Sequence, residues 1–415
     1  MNQPVLLLSL LAPGCAPPSE LADDGEGAPD QWAELWSADL PASDRAPAPP
    51  AASCPAGVAA WADAASFPTI QAALDAVVEG GTVWICPGTW RLPTWLDASG
   101  RASLTIRGWT GAPGDVVLDA AGGIEALFLG GGRKRVTGLT LRGASTTASE
   151  FVDPQGELEL RDLIVEDNVT TTGAAPGLDL TYRTLRVSRT IVRDNEGRYR
   201  GAVVLRPKVD DARAWFEEVR FERNVGNQGG AVRLDKGLRP QPQRTWTLFD
   251  RCEFRDNHAR GSGGAFMYAS DGPDRVAFRD TRMVGNTCDS IGGTIAFEYG
   301  GASGDQRVWL VRTEVTDSYG YDAGAVTFYG YDRPPNEDKR AWVVDSRFYR
   351  NTTDTQQVTW NGALNAWEDW RLFVIDSDFG VGPDTNLPYD ISGLPDDFGP
   401  GTTVTVDWDY GGIIP

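Results

Sequence analysis

Histidine and positive charge are both scarce in this 415-residue sequence. It has one histidine, His258, and 38 Lys and Arg against 58 Asp and Glu, a formal net charge of −20. The negative balance disfavours nucleic acid and anionic membrane surfaces as partners. No close acidic cluster has the spacing of a calcium loop, so we predict no metal site and no cofactor, with calcium the one ion left open. We interpret His258 as a solvated turn residue.

What the sequence does contain is a repeated phrase. Phe221-Glu222-Arg223-Asn224 is followed by Gly229-Gly230-Ala231-Val232, and similar pairs return around Asn257, Asn286 and Asn351, with looser copies at Asn195 and Ser318. The steps between successive copies are 29, 33, 29, 32 and 33 residues. A period of this length is typical of one coil of a solenoid.

Each repeat holds two short apolar runs, and neither has helical spacing. Residues 309–315 alternate, so that Trp309, Val311 and Val315 fall on one face, as in a strand with one buried side. We therefore predict an all-β solenoid of stacked parallel strands, with Trp309 and Trp342 filling the core or a corner.

The recurring Asn is predicted to form a ladder, because an amide both donates to one coil and accepts from another. The predicted ladder residues are Asn195, Asn224, Asn257, Asn286 and Asn351. The glycines that follow, such as Gly264, are expected at a tight corner or a positive φ.

These Phe-x-x-Asn and Gly-Gly-Ala-Ile phrases resemble the repeats of the polymorphic outer-membrane protein family, over roughly residues 160–380. More broadly they resemble the right-handed parallel β-helix superfamily. The resemblance implies a right-handed parallel β-helix with an N-terminal capping α-helix. It is specific for the fold and says little about activity.

The N-terminal residues suggest export. The apolar run 5–11 matches the core of a signal peptide and is too short to span a bilayer. Residues 1–15 resemble a bacterial lipoprotein signal, which implies lipidation of Cys15, although no Lys or Arg precedes the run and Ala12-Pro13 is atypical. An ordinary cleaved signal is the alternative. We expect an outer-membrane lipoprotein or a surface or extracellular protein that touches membrane only through its lipid.

The remaining chain divides by composition. Residues 16–53, rich in Ala, Pro and Asp, are expected to form a disordered tether. Residues 54–100 are assigned to a cap and first coil, with a helix over 67–78 that resembles the N-terminal cap of extracellular β-helix proteins. Residues 101–380 are assigned to coils, and 381–415 to an irregular C-terminal cap.

Five cysteines leave an odd one. Cys54 and Cys86 flank the predicted helix, and an exported protein would oxidise them, so we predict a disulfide between them. A bond between Cys252 and Cys288 is left open, because it would need a sharp corner to bring the two Cα atoms together.

Exposed aromatic residues beside carboxylates suggest a binding surface for carbohydrate, although packing at strand ends is the alternative. The candidates are Tyr319, Tyr321, Asp322, Tyr329, Tyr331, Trp360 and Trp367. We predict a monomeric binding, adhesion or structural module.

An enzyme is the less favoured alternative. Polysaccharide hydrolases of the β-helix superfamily use aspartates with Gly-His-Gly and Arg-x-Lys, and only Arg206-Pro207-Lys208 matches here. A polysaccharide lyase or glycoside hydrolase of the pectin-lyase-like superfamily would use Asp210, Asp211 and Arg213 as its candidate catalytic residues.

Overall fold

The computed structural model describes residues 49, 53–237, 243–270, 272–298, 306–321, 323–329, 339–353, 362–366, 370–380, 382–384, 386–387, 391–392 and 403–407. All of them belong to one compact unit, Pro49–Pro415. The predicted signal peptide with Cys15, nearly all of the predicted tether and most of the predicted C-terminal cap lie outside the described residues.

The chain forms a parallel β-solenoid of about nine turns, which confirms the predicted all-β stacking of the repeats. One full turn runs through Ala212–Glu217, Arg220–Glu222, Val225–Gln228 and Val232–Gly237. These strands belong to what we call the first, second, fourth and third sheets, respectively. Each sheet therefore holds equivalent strands from successive coils.

The two longer sheets lie on either side of the loops that differ in length between coils. The first sheet comprises Ala65–Phe67, Ala60–Ala62, Thr82–Ile85, Ser103–Gly108, Arg133–Thr137, Glu157–Arg161, Thr184–Ser188, Ala212–Glu217, Thr245–Asp250, Arg275–Arg279, Arg307–Val311, Lys339–Val344, Trp370–Ile375 and Thr403–Asp407. The third comprises Leu96–Asp97, Glu125–Gly130, Thr147–Val152, Leu178–Thr181, Val203–Leu205, Val232–Gly237, Phe266–Ser270, Ile295–Glu298, Val326–Phe328, Leu364–Ala366 and Ile391–Ser392.

The other two sheets contain shorter strands. The second sheet comprises Gly88–Arg91, Val116–Asp119, Thr140–Arg142, Ile164–Glu166, Ile191–Arg193, Arg220–Glu222, Glu253–Arg255, Arg282–Val284, Glu314–Thr316 and Arg347–Tyr349. The fourth comprises Val169–Thr170, Glu196–Gly197, Val225–Gln228, His258–Ser262, Thr287–Cys288, Tyr319–Gly320 and Thr352–Thr353.

One α-helix, Ile70–Ala76, lies within the described ranges, together with the 3₁₀ turns Pro113–Asp115 and Gly382–Asp384. The Thr69 side chain accepts a hydrogen bond from the Ala72 backbone N–H at 3.2 Å, which caps the first turn. The helix is shorter than the predicted 67–78, because residue 67 ends the strand Ala65–Phe67. In the described part of the chain, no helix has the length and apolar character needed to cross a membrane.

The interior is filled by rings that stack from coil to coil. Phe216, Phe249 and Phe278 follow one another in the first sheet with centroid separations of 4.8 and 4.9 Å. In the second sheet, Phe221 stacks on Phe254 at 4.6 Å. The first residue of the repeated phrase therefore points into the core, where stacked rings bury large apolar areas.

Trp309 is buried, as its structural interpretation expects, but neither Trp309 nor Trp342 lies in the central apolar core. In the strand Arg307–Val311 the residues of the central apolar core are Val308 and Leu310, so Trp309 lies on the outer face, where it is 6% exposed and stacks on Trp342 at 5.0 Å. The alternation fails after the strand because Arg312 adopts a φ of 48°, which reverses the faces before Val315.

The two glycines of each Gly-Gly pair are needed for different reasons. Gly263 takes a φ of 66°, whereas a Cβ on Gly264 would lie 2.3 Å from the carbonyl oxygen of Gly293 in the next coil. The first glycine thus makes the turn and the second allows backbone to touch backbone.

The predicted disulfide between Cys54 and Cys86 is confirmed, with the two Cα atoms 5.8 Å apart. Cys252 and Cys288 are both buried free thiols. Cys252 lies between strands of the first and second sheets, where its thiol donates to the Phe216 carbonyl at 3.4 Å, whereas Cys288 lies in the fourth sheet. The two thiols therefore occupy different corners of the coil.

Candidate functional site

The fourth sheet is positioned by a buried ladder of asparagines at the end of the second sheet. The Nδ2 of each residue donates to the Oδ1 of its neighbour in the next coil, at 2.8 to 3.0 Å. The same Oδ1 accepts the backbone N–H of the preceding asparagine, so every rung holds the next coil by two bonds. The residues of this run are Asn168, Asn195, Asn224, Asn257 and Asn286.

The ladder is interrupted once and then resumes. Ser318 takes the next position, and its hydroxyl accepts a hydrogen bond of 2.6 Å from the Thr294 hydroxyl. Asn351 and Asn386 form a further rung, with Nδ2 of Asn351 donating to Oδ1 of Asn386 at 2.8 Å. Asn168 and Asn386 extend the set beyond the five predicted residues.

The residue before each ladder position from Asn168 to Asn351 turns the chain into the fourth sheet with a positive φ. This column, which we call the turn column, comprises Asp167, Asp194, Arg223, Asp256, Gly285, Asp317 and Arg350, with φ between 52° and 64°. Its side chains face outward. Arg223 contacts both carboxylate oxygens of Asp194 at 2.8 Å, so neighbouring coils are also joined at the surface.

Beyond this turn, the leading residues of the fourth-sheet strands form a row in register. The row comprises Val169, Glu196, Val225, His258, Thr287, Tyr319 and Thr352. Neighbours in such a row are about 4.8 Å apart, so their side chains present one continuous surface. One part of this surface, which we call the fourth-sheet face, is formed by His258, Thr287, Asp289, Tyr319 and Tyr321.

Two tyrosines stand out on this face because of their exposure. Tyr319 is 42% exposed and Tyr321 39% exposed. Tyr319 begins the strand Tyr319–Gly320, and the backbone N–H of Tyr321 donates to the Ser290 carbonyl at 2.9 Å. Both rings therefore project from one rung beside the residues of the preceding coil.

His258 belongs to the same face, and its interpretation as a solvated turn residue is wrong. It begins the strand His258–Ser262 and is half-buried. Its Nδ1 lies 3.0 Å from the Thr287 hydroxyl, and its Nε2 lies 3.6 Å from a carboxylate oxygen of Asp289. The imidazole is thus held in place by both ring nitrogens, while its side chain is 35% exposed.

One other predicted binding residue, Tyr329, lies away from this face. Tyr329 is half-buried, and its backbone N–H donates to the Phe297 carbonyl at 2.8 Å, beside the third sheet. Asp322, Tyr331, Trp360 and Trp367 lie outside the described residues. Of the predicted set, the described structure places Tyr319 and Tyr321 together.

The predicted catalytic residues occupy structural positions. A carboxylate oxygen of Asp210 accepts the backbone N–H of Arg244 at 2.9 Å, and the N–H of Asp211 donates to the carbonyl of the same residue. Asp211 itself has a φ of 56°. Arg213 lies in the first sheet, in register with Thr184 and not with these carboxylates. Asp210 and Asp211 therefore close the corner between two coils.

A different set of acidic residues is brought together on the outer face of the third sheet. Glu150 and Asp179 are direct partners in adjacent strands, and an Oε1 of Glu125 accepts the Glu150 backbone N–H at 2.9 Å. Arg206 contacts both oxygens of Asp179, at 2.6 and 2.8 Å. We call Glu125, Glu150, Asp179 and Arg206 the carboxylate row.

Protonation differs along this row. Glu125 is only 8% exposed. This burial, reinforced by the Glu150 charge, raises the pKa of Glu125 to about 8. Burial followed by the charge of Asp179 also raises the pKa of Glu150. A row of carboxyl groups that combines raised pKa values with an arginine-bound member is an arrangement suited to acid–base chemistry.

The signal for the carboxylate row in the sequence is an acidic residue set between buried ones in a strand, as in Ser149-Glu150-Phe151 and Leu178-Asp179-Leu180. The offset between these two residues is 29, close to the repeat period. The spacing could have suggested neighbours in adjacent coils.

Among the residues that the structure describes, no group of three His, Cys, Asp or Glu side chains could hold a metal ion. Comparison with family models finds no match, and comparisons with curated proteins and with solved structures likewise find none.

Proposed function

We propose that this chain is an exported surface module whose fourth-sheet face binds carbohydrate. The observation that carries the proposal is the pair of exposed rings, Tyr319 and Tyr321, beside Thr287 and Asp289 of the preceding coil, which hold His258 of the coil before that. A phenol ring can stack on the apolar face of a sugar while its hydroxyl stays solvated. Neighbouring imidazole, hydroxyl and carboxylate groups can then pair with sugar hydroxyls.

The geometry suits an extended ligand. Because the row repeats at each coil, a linear glycan lying across the strands would meet one polar or aromatic side chain per rung. Arg260 lies at the border of the face toward the earlier coils. It forms an ion pair with Glu196 and donates a hydrogen bond of 3.1 Å to the Gly197 carbonyl. The anchored arginine leaves the tyrosine end as the open part of the row.

The handedness of the solenoid and the role of its helix are part of the proposal. We take the solenoid as right-handed, since parallel strands joined by crossover connections are right-handed in nearly all proteins. We assign the helix Ile70–Ala76 as a cap on the first coil. In support, the Gln71 side chain both donates to the Asp97 carbonyl at 3.0 Å and accepts its N–H at 2.9 Å.

We also propose that the chain is exported and anchored through Cys15, and that its repeats belong to the polymorphic outer-membrane protein type. The disulfide between Cys54 and Cys86 supports an oxidising compartment outside the cytosol. A lipid on Cys15 followed by the Ala- and Pro-rich segment 16–53 would hold the solenoid at a distance from a membrane.

The test is retention on immobilised neutral and acidic polysaccharides. The wild-type protein should bind at least one glycan, and Tyr319→Ala with Tyr321→Ala should weaken that binding by roughly tenfold, since stacking on an aromatic ring contributes about 0.5–1.5 kcal/mol per ring. Trp95→Ala is the matched control, because Trp95 is a similarly exposed aromatic residue in the first coil. Equal binding by the double variant and the wild type would overturn the assignment of the face.

The carboxylate row supports a second candidate function, cleavage of a polysaccharide. Its specific support is the raised pKa of Glu125, two strands away from the arginine-bound carboxylate of Asp179, with Glu150 on the strand between them. Release of sugar fragments that is lost in both Glu125→Gln and Asp179→Asn, but kept in Asp210→Asn, would establish this activity. Absence of fragments across the panel would remove it.

A further inference from the structure

A lysine and an aspartate meet in a dry corner between the third and first sheets. Lys236 lies in the strand Val232–Gly237, and Asp274 directly precedes the strand Arg275–Arg279 of the following coil. The Nζ of Lys236 is 2.7 Å from Oδ1 of Asp274, and both side chains are 1% exposed. The surface ion pair between Arg223 and Asp194 is, by contrast, open to water on both sides.

The polar surroundings of this pair are complete and fixed. Oδ1 of Asp274 accepts the Thr245 hydroxyl at 2.6 Å, and Oδ2 accepts the Tyr268 hydroxyl at 2.6 Å. The Nζ of Lys236 also donates to the Gln243 carbonyl at 2.6 Å, which leaves the nitrogen a narrow range of positions. Burial raises the pKa of Tyr268 well above its usual value, so its phenol keeps its proton.

This arrangement combines the features that favour condensation of an amine with a carboxyl group. Removal from water makes a separated ammonium and carboxylate costly and favours transfer of a proton between them. A fixed contact gives the neutral amine a high effective concentration at the carboxyl carbon. The hydroxyls of Thr245 and Tyr268 are aimed at the oxygens on which negative charge develops during attack.

We propose that Lys236 and Asp274 join in an isopeptide bond between Nζ and Cγ. The ammonium first passes one proton to the carboxylate, and the amine lone pair then attacks Cγ. The tetrahedral intermediate loses one carboxyl oxygen as water, which carries away that proton and a second proton from nitrogen. The net change is ammonium plus carboxylate to amide plus water, and it needs no oxidant or cofactor.

The bond would connect two consecutive coils through side chains. Lys236 and Asp274 are 38 residues apart, so the closed loop covers slightly more than one turn. Such a link restricts the unfolded chain in the same way as a disulfide, and reducing agents cannot open it.

The test is a mass measurement on the purified full-length protein. After allowance for the disulfide and any N-terminal processing, the intact mass should be lower than the sequence mass by one water. Tryptic digestion should release residues 234–244 covalently joined to residues 261–275, because a modified Lys236 is not cut and Arg239 precedes proline. Wild-type protein that instead releases the separate peptides 234–236, 237–244 and 261–275 overturns the proposal without any variant.

Controls distinguish the link from other losses of water. An imide at Asp271-Gly272 would also remove one water, but it leaves the two peptides separate. Lys236→Met and Asp274→Ala should abolish the linked peptide, whereas Lys134→Met should keep it, because the buried Lys134 donates to the Arg101 carbonyl and not to a carboxylate. Asp274→Asn retains the shape and should form the same link with loss of ammonia in place of water.

Discussion

Two neighbouring columns at the corner between the second and fourth sheets differ in their access to water. The asparagine ladder is fully buried, and each amide is bonded on both sides, as Asn257 is to Asn224 and Asn286. The turn column lies one residue earlier and carries charged pairs such as Arg223 with Asp194, in which both side chains are exposed. Both columns repeat with the coil and join the same strands.

Short distances alone therefore do not measure stabilisation. The Arg223–Asp194 contact is as short as a ladder bond, but its groups exchange one solvated partner for another. A ladder amide has no water to replace a lost partner, so its removal leaves several buried groups unsatisfied. Coils should therefore depend strongly on the ladder and weakly on the surface pairs.

Breaking the ladder should have the largest effect. Asn257→Ala removes the acceptor of the Asn224 side chain and backbone N–H and the donor to the Phe221 carbonyl. With about 1–3 kcal/mol for each orphaned group, we expect a loss of about 5 kcal/mol in the free energy of unfolding. Urea denaturation with an unchanged m-value is the measurement. A loss below 1 kcal/mol would contradict the assigned role of the ladder.

Glu125 provides a buried polar group outside any ladder, and pH should reveal it. Its pKa is raised from 4.5 to about 8 in the folded protein, so the folded state keeps a proton that the unfolded chain has already released. The stability from this group is complete below the unfolded pKa and is lost as pH rises toward the folded pKa. We expect a decrease of up to about 4 kcal/mol between about pH 5 and pH 8.

The measurement is the free energy of unfolding at both pH values. Glu125→Gln should reduce the decrease, because its neutral amide does not titrate. Glu157→Gln, which alters an exposed partner of Arg133, is the matched control and should follow the wild type. Identical pH profiles for Glu125→Gln and the wild type would show that Glu125 is ionised in the folded state.

The interruption of the ladder at Ser318 provides a second test of its role. Equivalent positions to Thr294 hold alanine in neighbouring coils, as at Ala265 and Ala325, so the extra atoms of Thr294 occupy the volume that Ser318 leaves. Ser318→Asn alone should destabilise by crowding. Combined with Thr294→Ala, it should restore the rung between Asn286 and Asn351.

A double-mutant cycle measures this compensation. We expect a favourable coupling of about 1–2 kcal/mol between the two substitutions. Additive effects of Ser318→Asn and Thr294→Ala would mean that the two side chains do not share one space.

The smallest effect is expected in the turn column. Arg223→Ala should cost less than about 1 kcal/mol, and the difference should shrink further in high salt, because exposed ion pairs are screened. Thermal or urea unfolding at low and high salt checks both statements. A salt-independent loss comparable to that of Asn257→Ala would remove the distinction between the columns.

The repeat itself could be predicted from sequence because its parts follow from one coil. The Asn and Gly-Gly positions recur at a nearly constant spacing, and the physical needs of a buried amide and a close backbone approach are local. The ladder position of Asn386 was not predicted, because residues 380–385 separate it from Asp378-Phe379, where the repeated motif begins.

The faces and the candidate sites were harder to predict. Simple alternation placed Trp309 inside, because a non-glycine residue, Arg312, was not expected to adopt a positive φ. The offset of 29 residues between Glu150 and Asp179 matches the repeat period, but Lys236 and Asp274 are 38 residues apart and meet only because a longer loop lies between them. Loop lengths vary between coils, so the sequence does not reveal which charged residues become neighbours across such a loop.

The asparagine ladder also means that a whole coil can be gained or lost as one unit during evolution. Asn224, Asn257 and Asn286 each present the same acceptor to one side and the same donor to the other. Removal of residues 225–257 in frame would leave Asn224 facing Asn286 with matching groups, and the Gly201 and Gly264 corners, which now flank Gly230, would become adjacent. Genes for such a solenoid can therefore change the length of the protein by whole coils without redesigning any junction.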